Sequence, residues 1–332
     1  MNDSYINVKS FNRWWQLGMT IFCTLLLTVA CHSNSQNAIQ SNNIAPISPL
    51  SVATKLVKHA LGETRIPIKP QRIIVLNDIG LLDPVLSLGI KPIGTVSYFP
   101  EYDFLFRGVT NDEAAGIEII GTGNQPNLEK VIKLKPDLIL MREYQKRLYK
   151  ELSAIAPTVM VDLPGLNYSF KENLRFIAQV LGESEKAEQV ISQYYERVEK
   201  LQNLMGERLK EIEVSVIYVF GEGLISTYSD NETYNQIFQD IGIRLIPPLA
   251  NQQQETVISS IEVLNRYDAD VLFVMNDTNQ LTQTFFQNPL LNTLKAAKNN
   301  QVYEVQVNRW WTYGFFGINK LLDDLFKYLV QP

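Results

Sequence analysis

Along residues 184–209, SEKAEQVISQYYERVEKLQNLMGERL, apolar side chains return every three or four positions. Ala187, Val190, Ile191, Tyr194, Val198, Leu201 and Met205 fall on one face. That period predicts one long helix with a single buried stripe. Ser184 stands where an N-cap is needed, and Glu185 and Glu188 suit the positive end of the helix dipole. At 1.5 Å per residue the stretch would reach roughly 39 Å. Strand and helix patterns alternate before it and, in a shorter set, after it. The order suggests two α/β lobes on a stiff rod; the alternative is an ordinary core helix within one domain.

The rest of the pattern fills in those lobes. Residues 55–76 read as an opening hairpin and a first core strand, 73–76. Asp78 is placed to cap a helix that reaches Leu88 and closes at Gly89. Residues 91–96 read as a strand, and 97–116 as a long loop carrying Tyr98, Phe99, Tyr102, Phe104 and Phe106. Such a loop is either functional or a packed flap. Strands are predicted at 117–120, 138–141 and 158–161, with a short helix capped by Asn127 and stopped by Pro136. Ser169 and Glu172 form a capping-box pattern for a helix ending at Gly182. After the long helix come a strand at 213–220, a hairpin partner at 224–227, a helix at 233–241 closed by Gly242, and a last strand at 301–307. Ile318, Leu321, Leu322, Leu325, Phe326 and Leu329 line a closing helix. Glu129 precedes Asp137 by eight residues, and Glu262 precedes Asp270 by the same eight, each aspartate opening a buried strand. This weak internal symmetry fits two lobes of similar build.

Composition narrows the class. The 332 residues are 45% apolar, enough for two domains with sizeable cores. The net charge of −5 is scattered, and without a basic block no nucleic-acid partner is expected. Lys9 and Arg13 precede a hydrophobic run from Met19 to Ala30 that is short for a membrane span. The run ends Leu27-Thr28-Val29-Ala30-Cys31, which resembles a bacterial lipobox with Cys31 as the lipidated mature N-terminus. Thr28 stands where that pattern has Leu, Val or Ile, so a plain anchor or ordinary signal peptide stays open. Residues 32–54 are rich in Ser, Asn, Gln and Pro and read as a flexible tether. The expected organisation is a signal or lipoprotein peptide at 1–31, the tether at 32–54, an N-terminal α/β lobe at 55–183, the bridging helix at 184–209 and a C-terminal α/β lobe at 210–332. The folded part is expected in the bacterial cell envelope, in the periplasm or on the outer face of the cytoplasmic membrane. The only cysteines are Cys23 and Cys31, which excludes disulfides, thiolate catalysis and iron–sulfur ligation from the folded part.

No enzyme chemistry stands out. There is no G-x-S-x-G elbow and no H-E-x-x-H. Gly121-Thr122-Gly123-Asn124 lacks the Lys and Ser/Thr of a phosphate-binding loop. His32 and His59 are the only histidines, so a serine triad or multi-histidine metal site is not expected. Paired carboxylates can run glycoside chemistry, but no pair here is placed to favour it.

Six stretches, in order, carry a resemblance: GETRIPIKPQRIIVLN (62–77), LLDPVLSLGIKPIGTV (81–96), GTGNQPNLEKVIKLKPDLIL (121–140), IAPTV (155–159), SSIEVLNRYDADVLFV (259–274) and RWWTYGFFGINKLLDDL (309–325). Across residues 55–330 the chain resembles the solute-binding proteins of iron-siderophore, heme and cobalamin ABC importers, nearest the ferric-siderophore members. The resemblance implies two Rossmann-like α/β lobes bridged by a single long helix, with the ligand in the cleft between them and modest hinge opening. It implies a ferric siderophore as ligand, no cofactor, no protein metal site because the chelator holds the iron, and no catalysis. The implied partners are an ABC permease dimer with its ATPase and, through the lipid anchor, the membrane; a monomer is expected. Heme or cobalamin is the second reading, with Tyr144 or Tyr313 as axial ligand for heme. A surface enzyme or a non-transport cell-envelope protein is the reading from another class.

Ligand contacts are expected from loops at strand ends. Arg142 and Tyr144 directly follow the strand ending at Met141, and Trp310, Trp311 and Tyr313 follow the last strand. Arg107, Tyr98, Tyr228 and Arg244 are further candidates. A guanidinium meets carboxylate or metal-bound oxygens through several donors, and flat aromatic faces take the hydrocarbon parts of a chelate. Neighbours on a strand face opposite ways, which favours Trp311 over Trp310. Relatives that take hydroxamate siderophores often carry an arginine just before the T-Q-P-N-L-E type segment. Here Gly123 and Asn124 stand there, and Arg142 or Arg107 would substitute. Glutamates at the places of Glu129 and Glu262 contact permease arginines in the family; a purely local role at the helix dipole would be worth about 0.3–1 kcal/mol.

Overall fold

Short strands whose aliphatic residues are all buried lie inside a sheet covered on both faces. Ile73–Val75 and Leu138–Met141 are such strands. The computed structural model describes residues 53–97, 105–162, 169–221, 223–228, 232–252, 254, 256–276 and 279–330. Cys31, the expected tether up to residue 52 and Tyr98 lie outside these described residues.

The first lobe opens with an antiparallel hairpin of β1 (Thr54–His59) and β2 (Gly62–Pro67). Its sheet uses β3 (Ile73–Val75), β4 (Gly94–Ser97), β5 (Glu118–Thr122), β6 (Leu138–Met141) and β7 (Thr158–Met160). The order is β5-β4-β3-β6-β7, with every pair parallel. The second sheet uses β8 (Glu213–Gly221), β9 (Leu224–Tyr228), β10 (Arg244–Leu245), β11 (Thr256–Ser260), β12 (Val271–Asn276) and β13 (Val302–Gln306). Its order is β11-β9-β8-β12-β13. Here β8, β12 and β13 run parallel, β9 is antiparallel to both neighbours, and β10 pairs only with the start of β8.

Between the sheets runs one helix, Ser184–Met205, of 22 residues. That is about 33 Å, shorter than the periodicity suggested. The chain turns at Gly206, whose φ of 53° lies in the left-handed region, and a separate short turn follows at Arg208–Glu211. Ser184 is not the cap: the cap position falls on Glu183, and Ser184 is the first helical residue. The stripe is otherwise as the sequence implied, with Ala187, Ile191, Tyr194, Val198, Leu201 and Met205 buried. Tyr194 meets Phe170 at 5.5 Å and Phe315 at 5.9 Å between ring centroids. The bridging helix, helix Phe170–Leu181 and helix Phe315–Leu329 therefore pack at one aromatic knot.

Several polar links cross between the lobes, and two involve buried or largely buried charges. Lys171, on helix Phe170–Leu181, bonds Asp240 on helix Thr233–Ile241 at 2.6 Å, and the Tyr194 hydroxyl donates to the same carboxylate at 2.6 Å. Burial by itself would lower the Lys171 pKa; the bonds to Asp240 and Tyr195 outweigh it and hold the ammonium above its usual value. At the other link, wholly buried Asp83 accepts from the backbone N–H groups of Phe316 and Gly317, each at 2.9 Å. A Cβ at position 317 would collide with the Thr312 side chain and the Gly108 backbone, so only glycine fits. Burial pushes the Asp83 carboxyl up to about 6, although these hydrogen bonds pull the other way.

Asp78 is not the cap either. Asn77 takes that role, accepting from the Gly80 N–H at 2.5 Å, and the chain makes a π-helical turn at Asp78–Leu82 before helix Asp83–Ser87. Asp78 instead lies wholly buried against Arg107.

Candidate ligand-binding cleft

In a parallel sheet all strands aim their carboxyl ends at one edge, and ligands gather in the crevice outside that edge. In the first lobe β3 delivers Asn77 there and β6 delivers Arg142. In the second, β13 runs into the short helix Val307–Trp310 and then into Trp311 and Tyr313. A cavity of about 220 Å³ is lined by Asn77, Ile79, Gly80, Arg142 and Tyr144 from the first lobe and by Tyr313 from the second. Residues of both lobes thus share one space.

Each polar wall group in it is held. Arg142 ion-pairs with Asp162 at 2.8 Å and donates to Asn173 Oδ1 at 3.4 Å. Asn173 in turn donates to the Gly80 carbonyl at 2.9 Å. Burial raises the Asp162 carboxyl above its ordinary pKa, with Arg142 opposing the shift. Gln145 donates to the carbonyls of Leu76 and Gly123, both at 2.7 Å, and so ties the ends of β3 and β5 to the turn that carries Arg142. Tyr144 is 45% exposed, its hydroxyl donating to the Leu76 carbonyl at 3.3 Å. The Tyr313 hydroxyl donates to Glu232 at 3.0 Å.

A second cluster joins the lobes beside the first. Arg107 donates to Asp78 from Nε at 2.9 Å and from Nη2 at 2.8 Å, a two-pronged pair with both side chains buried. The face of its guanidinium lies 5.1 Å from the Trp311 ring centre, within cation–π range. Trp311 is flanked by Tyr228 at 5.8 Å and Tyr218 at 6.4 Å. A guanidinium anchored in the first lobe therefore lies against an aromatic box from the second.

The structure brings Arg142, Tyr144 and Tyr313 together, and Arg107, Trp311 and Tyr228 together. Two expected contacts fall elsewhere. Trp310 is fully buried, 4.7 Å from Phe273 and 6.1 Å from Phe238, with Nε1 donating to Asp324. It closes a helical turn rather than a strand, and its indole belongs to the core. Arg244 is exposed on β10 opposite Glu213, the first residue of β8, so it sits at the amino edge of the sheet, away from the cleft. Sequence reasoning missed Tyr218, which is the one partly exposed residue between Val214 and Val219. It also missed Asn77, Asp162 and Glu232, short polar residues with no signal beyond their place after a strand or before a helix.

Glu129 is exposed in the first turn of helix Leu128–Leu134, where Asn127 accepts from the Lys130 N–H at 3.0 Å. Glu262 is exposed in the first turn of the 3-10 segment Ile261–Tyr267. The first helix follows β5 and the second follows β11, whose last residue Ser260 is level with Leu224 and hence with Gly221 at the end of β8. Both glutamates therefore stand at the carboxyl edge of their own sheet. Among the described residues no three His, Cys, Asp or Glu side chains are grouped to hold a metal ion, and no helix is long and apolar enough to cross a membrane.

A family profile described as periplasmic binding protein matches residues 109–307. The chain belongs to the periplasmic binding protein family. Members like it are binding components of transporters, not enzymes. Among curated relatives, the probable siderophore-binding lipoprotein YfiY of Bacillus subtilis is 31% identical over 314 residues, covering 89% of this chain and 93% of the relative. The ferric-anguibactin-binding protein FatB of Vibrio anguillarum is 26% identical, covering 96% of this chain and 98% of FatB. Among solved structures, Staphylococcus aureus SirA complexed with staphyloferrin B superposes with a TM-score of 0.70 at 28% identity, covering 83% of this chain and 98% of SirA. The two bridged α/β lobes are thus the family's architecture.

Proposed function

We propose that this periplasmic binding protein captures a ferric siderophore between its lobes and delivers it to an ABC permease dimer driven by its ATPase. One observation carries the reading: groups suited to a chelate come together from both lobes, Tyr313 with Arg142 around one cavity and Trp311 against Arg107. Guanidinium donors suit metal-bound oxygens, and flat rings suit the hydrocarbon skeleton of a chelator. The names of YfiY and FatB, and the staphyloferrin B bound to SirA, support a siderophore over heme or cobalamin. In this reading Arg142, Tyr144, Tyr313, Arg107, Trp311 and Tyr228 contact the ligand, with Tyr218 added. Glu129 and Glu262 meet arginines of the two permease subunits. Residues 1–31 are a lipoprotein signal that leaves Cys31 as a lipidated N-terminus, 32–54 tether a monomer to the membrane, and the lobes divide at 55–183 and 210–332.

The test is an equilibrium titration of the purified protein with ferric chelates, read by tryptophan fluorescence, with iron-free chelators as controls. A saturable, iron-dependent response with Kd on the order of micromolar or tighter is expected. Arg142→Ala and Trp311→Ala should each weaken it by about tenfold or more. No response to any ferric chelate would refute the proposal.

A further inference from the structure

We infer that the cargo is a ferric chelate with little or no net negative charge, because the guanidinium groups of the two inter-lobe clusters are paired with the protein's own carboxylates. The inference rests on the reading of the cleft as a ferric-chelate site and narrows its substrate class. Arg107 commits Nε and Nη2 to Asp78, with 8% and 0% of the two side chains exposed, and its Cζ lies over the Trp311 ring. Arg142 commits one terminal nitrogen to Asp162 and the other to Asn173. Glu232, which accepts from Tyr313, adds a further carboxylate beside the cavity. The same holds in the neighbouring cavity of about 440 Å³ lined by residues 108–112, 306, 308, 309 and 320. There Arg309 pairs with Asp324 at 2.8 Å and Lys320 with Glu113 at 2.7 Å.

A highly anionic chelate could draw on these cations only by prying them from their carboxylate partners, of which Asp78 is wholly buried and Asp162 largely so. Breaking a buried pair leaves an uncompensated charge and is strongly unfavourable. If the pairs stay whole, an added negative charge on the cargo finds the charge of both guanidinium groups already offset and comes close to the Glu232 carboxylate as well. A ferric complex whose three ligand charges balance the iron, as in a trihydroxamate, meets no such opposition. Its apolar hull can lie on Tyr144, Tyr313, Trp311, Tyr228 and Tyr218.

Three probes of graded charge decide the matter: a neutral ferric trihydroxamate, ferric citrate, and the trianionic ferric complex of a tris-catecholate. Each is titrated at about 10 mM and about 500 mM salt, where exposed-charge interactions are strong and weak respectively. The neutral complex should bind about tenfold or more tighter than the trianion, with a Kd that salt moves by less than about threefold. In Asp162→Asn, which leaves Arg142 without its counter-charge, the affinity ratio of trianion to neutral complex should rise by about tenfold. Tightest binding of the trianion or of ferric citrate, with affinity falling steeply in salt, would overturn the inference while keeping the chelate-receptor reading. An unchanged ratio in Asp162→Asn would overturn it as well. Binding of none of the three would overturn the receptor reading itself.

Discussion

Trp310 and Trp311 are neighbours in the chain with opposite duties. The first is wholly buried in the second lobe's core; the second is half-buried beside Arg107 and two tyrosines. Trp310→Ala should cost about 3–5 kcal/mol in denaturant unfolding, as truncation of a buried aromatic does. Trp311→Ala should change stability by less than about 1 kcal/mol, within the range of surface substitutions, yet impair chelate binding. Asp83 gives a pH signature at the same scale. Its carboxyl is pushed from 3.8 to about 6 by burial, so the folded state holds its proton more tightly than the unfolded chain. Its contribution is therefore full below about pH 4 and is lost as pH rises through about 6, worth about 3 kcal/mol in all. Unfolding free energies of the protein and of Asp83→Asn, compared from about pH 4 to about pH 7, should shift in favour of the variant as pH rises. A gap that stays constant would contradict this account of Asp83.

At the scale of elements, the sequence was readable wherever a local period met a local cap. The stripe from Ala187 to Met205 repeats at helical steps, and the structure buries it with only Val190 partly exposed. Asn127 and Ser169 are caps because each side chain reaches an N–H three residues on, and both were legible. Ser184 looked equally suitable, but the helix begins one residue earlier and Ser184 bonds nothing as a cap. Asn127→Ala should thus cost about 1 kcal/mol, while Ser184→Ala should cost less than about 0.5 kcal/mol, both by denaturant unfolding. What was not legible depends on partners distant in sequence. Asp78 is claimed by Arg107, 29 residues on, so the neighbouring Asn77 does the capping. Arg244 was misplaced because the two-residue strand β10 pairs at the start of β8, which no local pattern announces. Arg142 and Tyr313 were legible as residues that follow strand ends; Tyr218, inside a buried strand, was not.

For the whole molecule, the lobes are joined by more than the bridging helix. Lys171, Asp240 and Tyr194 tie three helices together on the side of the rod, and Asp83 ties helix Asp83–Ser87 to the start of the closing helix. Opening of the cleft about the rod would have to break or stretch these links. Lys171→Met leaves the partly exposed Asp240 with the Tyr194 hydroxyl as its side-chain partner among the described residues and should cost about 1.5–3 kcal/mol in unfolding. Glu129 and Glu262 belong to the outside, each at the carboxyl edge of its sheet. Either one changed to Ala should reduce uptake in cells without altering chelate affinity, since such charges set register and encounter rate; loss of affinity would assign them to the cleft instead. If the protein captures a ferric chelate, the iron lies in the cleft. Anomalous diffraction at the iron edge, from crystals of the protein grown with a ferric chelate, locates it directly. The expected result is one iron peak between the lobes, with its chelator in contact with Arg142, Tyr313 and Trp311. A peak on the surface of one lobe, with those side chains untouched, would contradict the account.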